Sequence, residues 1–287
     1  MSDQTLTRFK NLGYYNGTIG SLEEMTIPLN DCASFFGDGV YDAGPVRNRR
    51  IFALDEHVDR FFNSAHLIDI EMPVSKDELK EILNDLVQRT ESPDLFLYYQ
   101  VTRGTGIRKH VYPDCKANLW VTCTPATIKD GVEPVALITY PDKRFLYCHV
   151  KTLNLIPSVL ASEAAAKAGA QEAIFYRNDN HVTECAHSNV HILKDGTLIT
   201  HPTDEYILPG IARKHLISAC NALKVPVEER IFSLDELFHA DEVIVTSSSN
   251  LCLHANMIDN KSVGGKDPDT YEKLRVYLLD EFIRATQ

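Results

Sequence analysis

Between two prolines, the stretch Pro125-Ala-Thr-Ile-Lys-Asp-Gly-Val-Glu-Pro134 interrupts a chain otherwise built of apolar-patterned segments. It is polar and carries a glycine, and its prolines cannot continue a helix or a central strand. It is the best linker candidate in the 287 residues. It predicts two domains, a smaller N-terminal one over 1–126 and a C-terminal one over 127–287, each long enough to bury a core.

Both halves mix helices and strands. Asp55 to Ile68 places apolar residues at 58, 61, 62, 65 and 68, a helical spacing. Ser75-Lys-Asp-Glu78 is a capping box, and it opens a second amphipathic helix to about Gln88. Leu95 to Thr102 (LFLYYQVT) and Asn118 to Thr124 (NLWVTCT) read as buried strands. Past the linker, strands are expected near 135–140, 145–151, 172–177 and 188–194. Pro157 to Ala168, with Gly169 just beyond it, has the punctuation of a helix. Lys194-Asp-Gly196 signals a hairpin. Gly210 to Leu223 and Asp269 to Ile283 read as helices, and Asp241 to Thr246 as a strand. Strands and helices do not alternate regularly, so the expected class is α+β in two domains.

Charge and cysteine usage narrow the partners. Lys and Arg number 29 against 40 Asp and Glu, a formal charge of −11. That field disfavours nucleic acid and anionic membranes as main partners. No apolar run reaches the length of a membrane span. The N-terminal MSDQTLTRFK lacks a signal-peptide pattern, and the seven cysteines are scattered without a CxxC pair. The expectation is a cytoplasmic protein with reduced thiols.

The densest chemistry lies in His181-Val-Thr-Glu-Cys-Ala-His-Ser-Asn189, followed by His191. If 182–192 were one strand, Cys185, His187 and His191 would share a face. The spacing does not match paired zinc ligands, and no second cluster completes a site, so no metal is expected. Polar positions on a half-exposed hairpin are the plainer reading of His181 and His191. Glu184 is the residue to follow: a buried carboxylate can sit beside a pyridine nitrogen and keep the ring protonated, an electron sink. Lys151 ends an apolar segment just before a helix, where partial desolvation suits an amine nucleophile. Leu208-Pro-Gly-Ile-Ala-Arg213 opens a helix whose first N–H groups suit a phosphate. Val245-Thr-Ser-Ser-Ser249 and Arg60 offer further donors. The Arg47-Asn-Arg-Arg50 cluster reads as a basic hairpin turn. Taken singly, each of these has an ordinary structural explanation.

Their order and spacing do not. Phe36-Gly-Asp-Gly-Val-Tyr41, Asp55-Glu-His-Val-Asp-Arg60, Lys151-Thr-Leu-Asn154, Thr183-Glu184 with Ser188-Asn189, Leu208-Pro-Gly-Ile-Ala-Arg213 and Thr246-Ser247-Ser248 together resemble the fold type IV pyridoxal-phosphate enzymes, the fold of the branched-chain and D-amino acid aminotransferases. The resemblance spans about residues 12–285 and implies pyridoxal 5′-phosphate in the cleft between domains, with the C-terminal domain anchoring it. It implies that Lys151 bonds the cofactor and moves a proton, and that Glu184 faces the ring nitrogen. Arg60, the backbone of Ile211 and Ala212, Ser247 and Ser248 would hold the phosphate, and Leu208 would pack on the ring. Val101-Thr-Arg-Gly-Thr-Gly-Ile-Arg108-Lys-His110 resembles the D-amino acid aminotransferases in particular, where an Arg-x-His pair and the motif tyrosine hold the substrate carboxylate; here these are Arg108, His110 and Tyr41. The implied reaction passes an amino group between D-amino acids and 2-oxo acids, in a homodimer.

The chain departs from the family where Cys185 replaces a glycine, where His187 replaces a serine, and where Ala212 lacks a usual threonine hydroxyl. The small Ala43 and Gly44 after Tyr41 suggest an altered side-chain pocket. Two alternatives share the fold: a branched-chain L-aminotransferase, which should lack Arg108-x-His110, and an aminodeoxychorismate lyase. A non-catalytic binding protein built on the Cys/His stretch is a third.

Overall fold

The computed structural model describes residues 7–128 and 132–287; Lys129, Asp130 and Gly131, within the expected linker, lie outside the described residues. The chain forms two compact units. One runs to Thr127 and also takes Val150–Asn154 and Ile283–Gln287; the other holds Ile128–His149 and Leu155–Phe282. The segment around Lys151 packs with the N-terminal unit.

The first unit contains β1 (Leu12–Tyr15), β2 (Thr18–Ser21), α1 (Cys32–Phe36), β3 (Gly39–Arg47), β4 (Arg50–Ile51), α2 (Leu54–Leu67), α3 (Lys76–Gln88), β5 (Leu95–Thr102) and β6 (Asn118–Pro125). Its six strands form an antiparallel sheet in the order β2-β1-β6-β5-β3-β4. Alternation sorts the side chains. Val40, Val46, Leu95, Leu97, Tyr99, Val101, Leu119 and Val121 turn to one side and pack with Val58, Phe61 and Ala65 of α2 and Leu79, Leu83 and Leu86 of α3. Each fully buried Leu or Phe there contributes about 1.5–3 kcal/mol. The helix α3 starts at the expected box: Glu78 N donates to Ser75 Oγ at 3.2 Å, and Ser75 N to the Glu78 carboxylate at 2.7 Å. The other side of the sheet is aromatic and half-buried. Tyr41 stacks on Tyr98 at 5.2 Å, and Tyr98 lies 5.3 Å from Trp120.

Gly39 explains part of the Phe36-Gly-Asp-Gly motif. A Cβ there would lie 2.7 Å from both Leu153 Cδ1 and the Val101 carbonyl oxygen. Its absence lets the Lys151 segment run along β3: Leu153 N donates to Gly39 O at 3.1 Å, and Tyr41 N to Lys151 O at 3.0 Å. The Arg47–Arg50 cluster forms a tight hairpin turn, with Asn48 and Arg49 at φ 51° and 62°. There Arg49 Nη1 donates to the carbonyls of Val87 and Thr90 at 3.0 and 2.9 Å.

The second unit contains β7 (Val135–Pro141), α4 (Ile156–Lys167), β8 (Glu172–Tyr176), β9 (Val182–Cys185), β10 (Asn189–Lys194), β11 (Thr197–Thr200), α5 (Ile211–Leu223), β12 (Val227–Glu229), α6 (Leu234–His239), β13 (Glu242–Thr246), β14 (Leu253–Ile258), β15 (Lys261–Ser262) and most of α7 (Pro268–Ala285). Its sheet follows the path β12-β11-β10-β13-β14-β7-β8-β9, with β15 on β14. The strands β9 and β10 lie far apart along this path, yet only residues 186–188 separate them in the chain. The sheet must therefore curl until these strands approach each other. Helices α5 and α7 cover one set of sheet residues through Leu216, Ala219, Cys220, Leu274 and Leu278. The alanines of α4 (Ala161, Ala165) let it sit close on Ala173 and Phe175.

Two sequence expectations change. The strand expected near 145–151 is absent: Phe145, Leu146 and Tyr147 are about half exposed, and the region is irregular. Arg144 N donates to Asp142 Oδ1 at 2.9 Å, a local turn that ends the strand direction at Pro141. The stretch 182–192 is two strands with a turn between them, so the single-face reading of Cys185, His187 and His191 fails.

Candidate active site

Glu184 sits at the end of β9 with its side chain buried. The turn that follows returns the chain to Asn189, closing with Cys185 N on Ser188 O at 2.7 Å. Asn189 Nδ2 and Leu208 N each donate to Glu184 Oε2 at 3.0 Å, while Arg144 Nη1 donates to Oε1. The same Asn189 amide donates to Leu208 O at 3.0 Å. Donors on both oxygens fix the plane of the carboxylate. Leu208, expected to serve through its side chain, thus also acts through its backbone.

Arg144 escaped the sequence reading. Its side chain is nearly buried and forks onto Asp142, with Nε at 3.1 Å from Oδ1 and Nη2 at 3.0 Å from Oδ2; it also reaches Tyr206 O at 3.2 Å. Its guanidinium lies 4.5 Å from the centroid of Phe175. Burial opposes its charge, but Glu184 and Asp142 outweigh that and hold its pKa well above the ordinary range. The Asp142 side chain is fully buried and takes further bonds from Arg177 Nε at 3.0 Å and Thr183 Oγ1 at 3.1 Å. Burial raises the Asp142 pKa, and Arg144 more than reverses this, leaving it low. The only sequence signal was a charged pair, Asp142 and Arg144, just past an apolar strand.

Gly210 precedes α5 at φ −66°, and no side chain caps the helix. The first N–H groups, at the buried Ile211 and Ala212, therefore face outward from the helix start as donors. A Cβ on Gly210 would fall 2.0 Å from Asn189 Oδ1, so the glycine is what lets the amide that binds Glu184 pass. At the end of β13, Ser247 Oγ pairs with Ser249 Oγ at 3.1 Å, and Leu251 N caps back onto Ser247 O at 2.8 Å. An uncapped helix start and a hydroxyl loop are each donor sets that suit a phosphate. The rigid carboxylate of Glu184 suits a ring nitrogen. Both match a phosphorylated pyridine.

In the first unit, Lys151 is half-buried with its Nζ 4.4 Å from the centroid of Tyr41, and its backbone N donates to Ser64 Oγ at 3.2 Å. Arg60 is buried and held by Asp42, Nε to Oδ2 and Nη2 to Oδ1 both at 2.8 Å. His57 Nδ1 meets Asp42 Oδ1 at 2.7 Å. Burial works against the Asp42 charge, yet Arg60 and His57 pull its pKa far below normal; burial also lowers the His57 pKa. At Gly44 a Cβ would meet His57 Nε2 at 3.2 Å. Arg108 and His110 lie on an exposed loop and flank Phe36, at 5.0 and 5.2 Å from its ring centroid.

Cys185 is fully buried, and burial pushes its thiol pKa far up, so it is no reactive thiolate. His187 is half exposed, with its backbone N on the buried Glu172 at 2.7 Å. His191, expected on a half-exposed hairpin, is 0% exposed. Among the described residues no three His, Cys, Asp or Glu side chains cluster to hold a metal.

At the φ of −66° found for Gly210, an alanine is otherwise favourable by about 0.4–1 kcal/mol. Gly210→Ala should therefore destabilise the protein only through the close approach of Asn189. A lower midpoint in urea is expected; a stabilised variant would refute the contact. Burial, aided by Arg213, lowers the His191 pKa from 6.5 to about 3. The unfolded chain therefore takes up this proton first, and the stability tied to neutral His191 is complete above pH 6.5 and lost between 6.5 and 3. His191→Phe should flatten that part of the stability–pH curve; an unchanged slope would count against it.

Residues 39–258 match the family model for amino-transferase class IV. The chain is 38% identical over 277 residues to the D-alanine aminotransferase of Listeria monocytogenes, covering 94% of this chain and 96% of that one. It is 36% identical over 264 residues to that of Bacillus licheniformis, covering 90% and 92%. Among solved structures it is similar to the branched-chain amino acid aminotransferase of Escherichia coli, with a TM-score of 0.87 at 21% identity and 96% of each chain covered. It is also similar to a T.th. branched-chain amino acid aminotransferase complexed with N-(5′-phosphopyridoxyl)-L-glutamate, with a TM-score of 0.85 at 26% identity, covering 96% and 94%. The chain belongs to the class IV aminotransferases, with their fold type IV architecture.

Proposed function

We infer that this chain is a pyridoxal-phosphate-dependent D-amino acid aminotransferase, passing the amino group of D-alanine- or D-glutamate-type substrates to 2-oxo acids such as 2-oxoglutarate and pyruvate. The observation that carries this is its 38% identity to a D-alanine aminotransferase over 94% of the chain. When bound, the cofactor supplies a pyridine ring that takes up the electrons left at the substrate Cα. Glu184 would face the ring nitrogen, and Arg144, Asn189 and Leu208 N keep that carboxylate in place. Lys151 holds the cofactor between turnovers and moves the proton at Cα. Arg60, the Ile211 and Ala212 N–H groups, Ser247 and Ser248 hold the phosphate, and Leu208 packs on the ring. Arg108 supplies a planar fork to the substrate carboxylate, with His110 and Tyr41 as directional donors. The reaction is ping-pong: the first 2-oxo acid leaves before the second binds.

A branched-chain L-aminotransferase is the second reading, favoured by the 26% identity to the branched-chain enzyme complexed with phosphopyridoxyl-L-glutamate. We also propose a cytoplasmic homodimer. Ile156, Val159 and Leu160 of α4 expose 57–70% of their surface, and Phe145, Leu146 and Tyr147 are about half exposed. An apolar patch of this kind marks an interface, and a second copy is the occupant proposed. No helix among the described residues is long and apolar enough to cross a membrane.

D-alanine with 2-oxoglutarate should yield pyruvate faster than L-leucine yields its oxo acid. A preference for L-leucine would reverse the assignment. Arg108→Ala should raise the substrate KM roughly 10–100-fold, the loss of a charged hydrogen-bond pair, with cofactor affinity unchanged; normal kinetics would remove its role. Leu160→Glu should give a monomer in light scattering, whereas an intact dimer would place the interface elsewhere.

A further inference from the structure

His191 occupies an apolar strand. Its neighbours Val190, Ile192 and Leu193 are buried and hydrophobic, yet its ring is 0% exposed and polar. An imidazole in such a place is costly unless both nitrogens are satisfied. Both are: Nδ1 lies 2.8 Å from Thr200 Oγ1 on β11, and Nε2 lies 2.9 Å from Thr246 Oγ1 on β13.

Each threonine leads to one wall of the proposed phosphate site. Thr246 is the last residue of β13 and the immediate neighbour of Ser247. Thr200 Oγ1 accepts from Arg213 Nε at 3.3 Å, and Arg213 stands in the first turn of α5, next to Ala212. Arg213 is itself fixed by the His201 carbonyl at 2.9 Å and Glu229 at 2.7 Å. A buried hydrogen-bonded chain, Arg213–Thr200–His191–Thr246, therefore spans from the helix start to the serine loop.

We propose that His191 is a positioning residue that fixes the spacing between the N-terminus of α5 and the Ser247–Ser248 loop, so that both donate to one phosphate. The proposal rests on the pyridoxal-phosphate reading. A residue that only fills the core would leave phosphate selectivity alone; a residue that sets this spacing would not.

The test compares binding of pyridoxal 5′-phosphate with binding of pyridoxal, which lacks the phosphate, by absorbance titration of the full-length protein freed of cofactor. His191→Phe keeps the volume and removes both bonds, and Thr246→Val breaks the chain at the loop should the first variant not fold. Either should weaken pyridoxal 5′-phosphate roughly tenfold, the scale of one or two lost hydrogen bonds, and change pyridoxal binding by less than about twofold. His191→Gln, which can still bridge two hydroxyls, should recover most of the loss. Unchanged pyridoxal 5′-phosphate affinity, or equal weakening of both compounds, would overturn the proposal. Failure of the unmodified protein to bind pyridoxal 5′-phosphate at all would instead overturn the cofactor reading.

Discussion

A carboxylate taken out of water must be matched, and Glu184 is matched from three directions. Its burial costs several kcal/mol before any partner is counted. Arg144, the Asn189 amide and the Leu208 N–H offset that cost. Much of the local architecture of the second unit serves this one group. The turn at 186–188 brings the end of β9 back to the start of β10, which sets Glu184 beside Asn189. Gly210 gives Asn189 the room it needs. Asp142 and Arg177 continue the alternation of charge, so that two carboxylates face two guanidiniums and no charge is left unmatched in the cluster.

The first unit solves a similar problem. Asp42 is the buried anion there, and Arg60 and His57 satisfy it from α2. This holds α2 at a fixed height over β3, the strand that carries Tyr41 on its opposite side. The two faces of β3 are separated by nothing more than strand alternation: Tyr41 and Ala43 point one way, Asp42 and Gly44 the other. Gly39 then admits the Lys151 segment alongside the same strand, which places the lysine amine over the Tyr41 ring.

Local signals were legible in the sequence and long-range ones were not. The strand β5 forms over the residues that its aromatic and β-branched composition marks, and α3 begins at the Ser75 and Glu78 box. Glu184, Lys151 and the glycine before α5 stood out because motif order is a property of the chain. Arg144, Asp42 and His57 did not, because a buried ion pair is made by elements that meet only after folding; Asp42 and Arg60 are 18 residues apart, and Arg144 and Glu184 are 40 apart. The apolar run Phe145–Tyr147 misled for the opposite reason: it is hydrophobic without being buried, and surface apolar patches have the composition of strands. His191 misled because its polarity suggests solvent, while two threonine hydroxyls from neighbouring strands satisfy it inside the core.

The central claim is that Glu184 is the fixed anion opposite a ring nitrogen. Nitrogen-15 NMR of the protein loaded with cofactor labelled at that nitrogen tests it directly. A protonated-pyridine resonance is predicted in the unmodified protein, moving to the neutral-pyridine position in Glu184→Gln with the cofactor still bound. A neutral ring in the unmodified protein, or a protonated one that does not respond to Glu184→Gln, would contradict it.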